Sequence, residues 1–457
     1  MFVYFKSLQN DQSDQNLRIN NPYLKEYSLP SASAPNGLIV DKKGTVWISS
    51  SKVGSLFSLN PNSGQIKDYK IIDEKMQKNN YSVTMVWTLV QDGDGKIWFS
   101  PLGTKTIWRF DPEKDTFNSY HADSGSPFQM KVDKKGEIWF TTLSGNTLGV
   151  IQKSIDNTDD YKISTFTTGN NTSPAGLFVG DDTVWVADVT TNNIVQYKVN
   201  RQNNTLDIST MLKIPQDNHT LSSPTDLIVN RNIVWLTEHE TSFLTKYDLL
   251  TGKVTRYPTS QNSFHTTTLP FWIRSSNDSQ ILWFNEHQGN KIASFEPYDD
   301  ALTEYTIHSL PKDGFLTYPL NIAIDPFDGK IIWFSEWNTD KVGVINGHVV
   351  IPFKININTK KVVLNSNTES TIDVNIQGNS PYNSNRVLLN VSSSIIPTSE
   401  LGNVTAKFSS DLLDLSRESN AKLILRNNGE SPGNYTLGIS ASDGFATRTI
   451  FLDLYIK

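Results

Sequence analysis

Three glutamates occupy one position of a recurring motif. Glu238, Glu286 and Glu336 each lie three residues beyond a tryptophan, in Trp235-Leu-Thr-Glu, Trp283-Phe-Asn-Glu and Trp333-Phe-Ser-Glu, and Asp188 holds the same place after Trp185. The residues that follow the glutamates are His239, His287 and Trp337. Carboxylates beside imidazoles suit a hard divalent cation, magnesium or calcium. If the repeats are related by rotation, Glu238, Glu286 and Glu336, with His239 or His287, should converge on one such ion. The competing reading pairs these glutamates with lysines such as Lys291 and Lys341, or has them cap backbone amides in neighbouring loops. His265, ahead of Pro270, reads either as a general base or as an ordinary surface histidine. Asp92-Gly-Asp-Gly95 shares part of a calcium loop but lacks its terminal glutamate, and reads as a β-turn. The chain has no cysteine, which excludes thiolate nucleophiles, zinc–thiolate sites and disulfides. It also lacks a phosphate loop, a dinucleotide fingerprint, a Gly-x-Ser-x-Gly elbow and a His-Glu-x-x-His helix.

The elements that must position these residues repeat with the tryptophans. Trp47, Trp98, Trp139, Trp185, Trp235, Trp283 and Trp333 follow one another at intervals of 41 to 51 residues. A period of that length with strand-like content predicts a seven-bladed β-propeller. Each repeat divides into four short strands: an apolar stretch such as Gly37-Leu-Ile-Val40, a turn such as Asp41-Lys-Lys-Gly44, the tryptophan strand, a third such as Lys291-Ile-Ala-Ser-Phe295, and a fourth ending on an aromatic. The seventh repeat has no obvious fourth strand, whereas Tyr23-Leu-Lys-Glu-Tyr-Ser-Leu-Pro30 reads like Ala301-Leu-Thr-Glu-Tyr-Thr-Ile307. A ring must close or leave an open edge, so the N-terminal strand is expected to complete the last blade. The propeller is assigned to residues 23–353. Residues 354–457 contain no tryptophan and about seven strand candidates, among them the alternating Thr371-Ile-Asp-Val-Asn-Ile376, which suits an Ig-like β-sandwich. The fold class is therefore all-β: a propeller followed by an Ig-like sandwich.

A net charge of −6 argues against nucleic acid as a partner. No apolar run is long enough to span a membrane. Residues 1–22 form an N-terminal stub in which Met1-Phe-Val-Tyr-Phe5 reads either as the tail of a signal or anchor segment or as a plain terminal segment. An extracellular or cell-surface location is expected.

The repeat consensus is clearest in Asn285-Glu-His-Gln-Gly-Asn-Lys-Ile292 and Phe334-Ser-Glu-Trp-Asn-Thr-Asp-Lys-Val-Gly343. With the Pro-x-Gly/Asn-Leu/Ile start of each repeat, it resembles the virginiamycin B lyase (streptogramin lyase) family of seven-bladed propellers over roughly residues 23–350. The resemblance implies magnesium-dependent opening of a cyclic depsipeptide ester by elimination. It places the histidines in Pro-His-Gly-Ile or Pro-His-Ala-Ile motifs that begin the last two blades, and a magnesium-binding glutamate at or near Glu336. The matching segments here are Pro270-Phe271-Trp272-Ile273 and Pro319-Leu320-Asn321-Ile322, and no repeat has histidine in that slot. The family's acidic residue before the last such motif corresponds to Tyr318. Phe271 and Leu320 cannot accept a proton, so the family's catalytic roles do not carry over.

Two functional readings follow. The first is a non-catalytic binding or surface-interaction propeller. Its unknown small-molecule, peptide or surface ligand would meet a rim of Phe271, Trp272, Leu320 and Trp337. The second is a divergent metal-dependent lyase or hydrolase working through Glu286, Glu336, His287 and His265.

Overall fold

A computed structural model describes residues 21–52, 54–71, 85–154, 160–203, 205–215, 222–260, 267–309, 316–378, 386–395 and 402–457. Among them every regular element is a β-strand. Seven antiparallel four-stranded blades span residues 35–70, 86–121, 130–167, 174–213, 224–258, 270–306 and 319–346, the last completed by Leu24–Ser28. Within each blade, successive strands run outward from the axis. The innermost strands lie against those of the adjacent blades, and Pro319–Ile324 meets Pro35–Val40 to close the ring. Leu24–Ser28 pairs with Lys341–Asn346, from Leu24 opposite Ile345 to Ser28 opposite Lys341.

The tryptophans explain the period. Each fills a seam between blades: Trp47 packs 5.7 Å from both Tyr69 of its own blade and Phe110 of the next, and Trp235 lies 5.2 Å from Phe295. Aromatic side chains this large dominate the burial energy of such seams. In the first three blades the preceding turn is locked to the ring. Asp41, Asp92 and Asp133 accept the indole N–H of Trp47, Trp98 and Trp139 at 2.8, 2.7 and 3.1 Å. The other carboxylate oxygen of Asp92 accepts the Asp94 and Lys96 amides, so Asp92-Gly-Asp-Gly95 is a turn.

Beyond the propeller, two sheets enclose a second core. One orders Phe353–Ile357, Glu369–Gly378, Asn420–Asn427 and Val404–Phe408. The other orders Ala446–Ile456, Gly433–Ser442, Arg386–Ser393 and Leu412–Asp414, with Lys361–Leu364 parallel to the first of these. Alternation fills the space between them with Ile372, Val374, Leu389, Leu423, Leu437 and Leu454. Phe353–Ile357 and Leu412–Asp414 were not legible as strands in the sequence. Nor was the junction between the units. Ala446–Ile456 adds antiparallel to Ala301–Thr306, the outer strand of blade six, with Ala301 opposite Ile450 and Tyr305 opposite Ala446. One nine-stranded sheet thus runs through both units. Arg448 fastens the junction with a two-pronged contact to Glu296 at 3.0 and 3.1 Å.

Candidate functional site

One feature of the innermost strands sets the mouth of the channel. In six blades the pairing of strands one and two slips just after its first residue, as between Pro270 and Ile273 or Pro319 and Asn321. A bulge re-aims the side chains it contains. Here the bulges hold Trp87, Phe271 and Leu320. Four residues entering these strands, Ala34, Ser223, Leu269 and Tyr318, have φ between 44° and 50°, a conformation that is costly for residues with a β-carbon. Their placement also draws in the residue after each glutamate. The amides of His239, His287 and Trp337 donate to the carbonyls of Ser223, Leu269 and Tyr318 at 3.0, 3.3 and 3.2 Å.

The result is an aromatic plug across the axis. Trp87 of blade two lies 5.2 Å from Phe128 of blade three and 5.6 Å from Phe271 of blade six, and Phe128 lies 5.4 Å from Trp272. His239 and His287 lean on Phe271 at 4.7 and 5.7 Å and stand 4.9 Å from each other, and Tyr318 is 5.9 Å from His287. Both imidazoles are half-buried, with Nδ1 shut off from solvent and unmatched among the described residues. Burial lowers His239 to about 4; burial, with His239 alongside, lowers His287 to about 3. Two such rings are neutral at physiological pH and are weak bases.

The acidic column does not gather as the sequence suggested. Pro224, Pro270 and Pro319 are in register with Glu238, Glu286 and Glu336, so the glutamates do reach the mouth end of their strands. Their side chains, all fully buried, then turn into their own blades. Glu238 takes the Nε and Nη2 of Arg256 at 2.8 and 3.1 Å and a bond from Thr245. Beside Glu286, Lys291 donates to Glu304 at 3.0 Å and to Ser260. Beside Glu336, Lys341 donates to Glu26 at 2.7 Å. Lysines are therefore at hand, as the ion-pair reading expected, but they bond the outer-strand glutamates. Glu286 has no cation on either oxygen, with Glu304 and Thr268 alongside, and Oε1 of Glu336 meets no donor, among the described residues. Burial, then the neighbouring Glu304 or Glu26, raises both acids well above the usual carboxylate range.

Among the described residues no three His, Asp or Glu side chains are grouped to hold a metal ion. The magnesium that the resemblance implies finds no fitting set among the described residues: near Glu336 the other oxygen donors are Thr339 and an already paired Glu26. Among the described residues Glu238, Glu286, Glu336, His239 and His287 thus do not converge on one ion as expected, because the glutamate side chains turn toward strand three, strand four and turn residues of their own blades.

Of the four rim residues, Trp272 is fully buried and Phe271 and Leu320 nearly so, leaving Trp337 half-open. Trp272 belongs to the plug, its amide bonded to Asn285 at 2.9 Å. His265 lies outside the described residues. Trp87 and Phe128 were missed as site residues, although reading the slot column through all seven repeats would have found aromatics there.

The family model described as "Virginiamycin B lyase family" matches residues 87–361. No curated protein matches the chain. Among solved structures, virginiamycin B lyase from Staphylococcus aureus is similar at 25% identity, covering 71% of this chain and 98% of that one, with a TM-score of 0.56. The RRP9 WD40 repeats, at 11% identity and a TM-score of 0.51 over 71% and 97% of the two chains, share the fold alone.

Proposed function

The chain belongs to the virginiamycin B lyase family, and on that premise we propose that it binds a ligand at the mouth of its propeller without opening it chemically. The observation that carries this is the composition of the mouth. Phe271 and Leu320 stand where the resemblance places histidine, and Tyr318 where it places an acid. The imidazoles nearest to them are held neutral. An elimination needs a base near neutrality within reach of the proton to be removed, and these groups supply none. What the mouth offers instead is aromatic faces, from Trp87, Tyr318 and Trp337, with two uncharged imidazoles. That chemistry suits an uncharged ligand with apolar or aromatic groups, a cyclic peptide among them.

The test is a fluorescence titration of the full chain with uncharged cyclic depsipeptides, alongside product analysis with and without magnesium. Saturable quenching, weakened by Trp337→Ala or His287→Ala, with the ligand recovered intact, is the expected result. Magnesium-dependent linear product lost on His265→Ala or His287→Ala would instead establish the lyase reading.

A further inference from the structure

Below the plug, the channel wall has an unbalanced charge. The seven innermost strands carry three charged side chains among the described residues: Lys131, Asp226 and Arg274. Lys131 is in register with Trp139 and Arg274 with Trp283, so the two cations stand at one level of the ring. By the same register that level otherwise holds Ile39, Val90, Phe178, Ile228 and Ala323. Asp226 is fully buried and its oxygens are occupied. Oδ1 accepts the Gln129 side chain and the Leu227 amide at 2.8 and 2.9 Å; Oδ2 accepts the Ile273 amide and Arg274 Nη1 at 3.1 and 2.8 Å. Arg274 thereby neutralises Asp226 and lies over the Trp272 ring at 5.6 Å, with Nε and Nη2 unbonded among the described residues. Lys131 makes no hydrogen bond or ion pair among them. The wall keeps one positive charge beyond what its own carboxylate balances.

We propose that the channel holds a small oxyanion, a carboxylate or phosphate group, between Lys131 and the unused edge of Arg274. A guanidinium edge and an ammonium are complementary to such a group, and the apolar ring strengthens the attraction by lowering the local dielectric. Without the anion, burial and then Arg274 lower the Lys131 amine to about 8, the direction that an unpaired cation takes. Lys131 lies three residues past Phe128, at most about 10 Å farther along the chain, and its strand, Met130–Val132, ends one residue later. The anion therefore enters from the face opposite the aromatic mouth, and this site is separate from the ligand site above.

The experiment is thermal melting of the full chain in chloride, with phosphate or acetate replacing chloride at constant ionic strength. A rise in Tm that saturates at millimolar phosphate or acetate, and is lost in Lys131→Met while that variant melts at or above wild type in chloride, supports the site. The anion that acts identifies the preferred group. A wild-type melt indifferent to both anions overturns it, as does a rise of equal size in Lys131→Met. Lys131→Gln repeats the comparison should the methionine variant fail to fold.

Discussion

The rings of His239 and His287 stand 4.9 Å apart at 49°, each against Phe271. Two blades thus present one aromatic surface, and the cost falls on the protonated forms. Neither imidazole is expected to titrate between pH 5 and 8 in a proton NMR pH series. Because both values are lowered from about 6.5, their contribution to stability is full above that pH and is lost as pH falls toward about 4 and about 3. His239→Phe should therefore blunt the fall in Tm between pH 6.5 and 4.5. A midpoint near 6.5 for either ring would overturn the neutral mouth.

Glu286 carries the opposite dependence. Burial and the neighbouring Glu304 raise its carboxyl well above the usual range, so its contribution is full below about 4.3 and is lost as pH rises toward that raised folded value. Glu286→Gln, which keeps the neutral form, should raise Tm at pH 7.5 and lose that advantage near pH 4. A gain of about 1 kcal/mol would appear as about 2–4 °C. Lower stability of the variant at pH 7.5 would mean that Glu286 is ionised and bound.

Closure of the ring by Leu24–Ser28 places Tyr23 and Leu29 in the core, at 1% and 7% exposure. Deleting residues 1–30 removes both and bares the edge of Lys341–Asn346. The two side chains alone account for about 3–6 kcal/mol, at about 1.5–3 each. Calorimetry of the truncated chain should show a large drop in Tm; an unchanged melt would mean that the strand is dispensable.

Deleting residues 347–457 should leave the propeller folded but expose Ala301–Thr306 as an unpaired edge. Self-association, read by light scattering as a concentration-dependent mass, is expected of the shortened chain and not of the full one. A monomer at all concentrations would show that the blade protects its own edge.

The blades were legible because Trp47 and its six counterparts serve the same seam each time, and a repeated packing problem leaves a repeated residue. The slot residues Phe271 and Leu320 were legible for a related reason: the bulge fixes where they stand whatever their type. The directions of the glutamates were not. Arg256, Glu304 and Glu26 each precede the tyrosine of their outer strand, but the residue type at that place changes between blades, so Glu238 meets a cation while Glu286 and Glu336 face carboxylates. The pairing of Ala446–Ile456 with blade six was hidden too, since alternation tells which face of a strand is buried but not which edge it joins.

That shared sheet has the connectivity of a lever. From Pro270–Ser275 at the channel wall to Leu412–Asp414 at the far side, an unbroken series of hydrogen-bonded ladders connects strand to strand. The other six blades end at their own outer strands. A ligand that rotates Phe271 by tilting blade six would swing the C-terminal unit with it, whereas one pressing on Trp87 of blade two has no such arm. Occupancy of the mouth would then be readable at a distance, as a change in the spacing between a label near Ser409 and one on blade two.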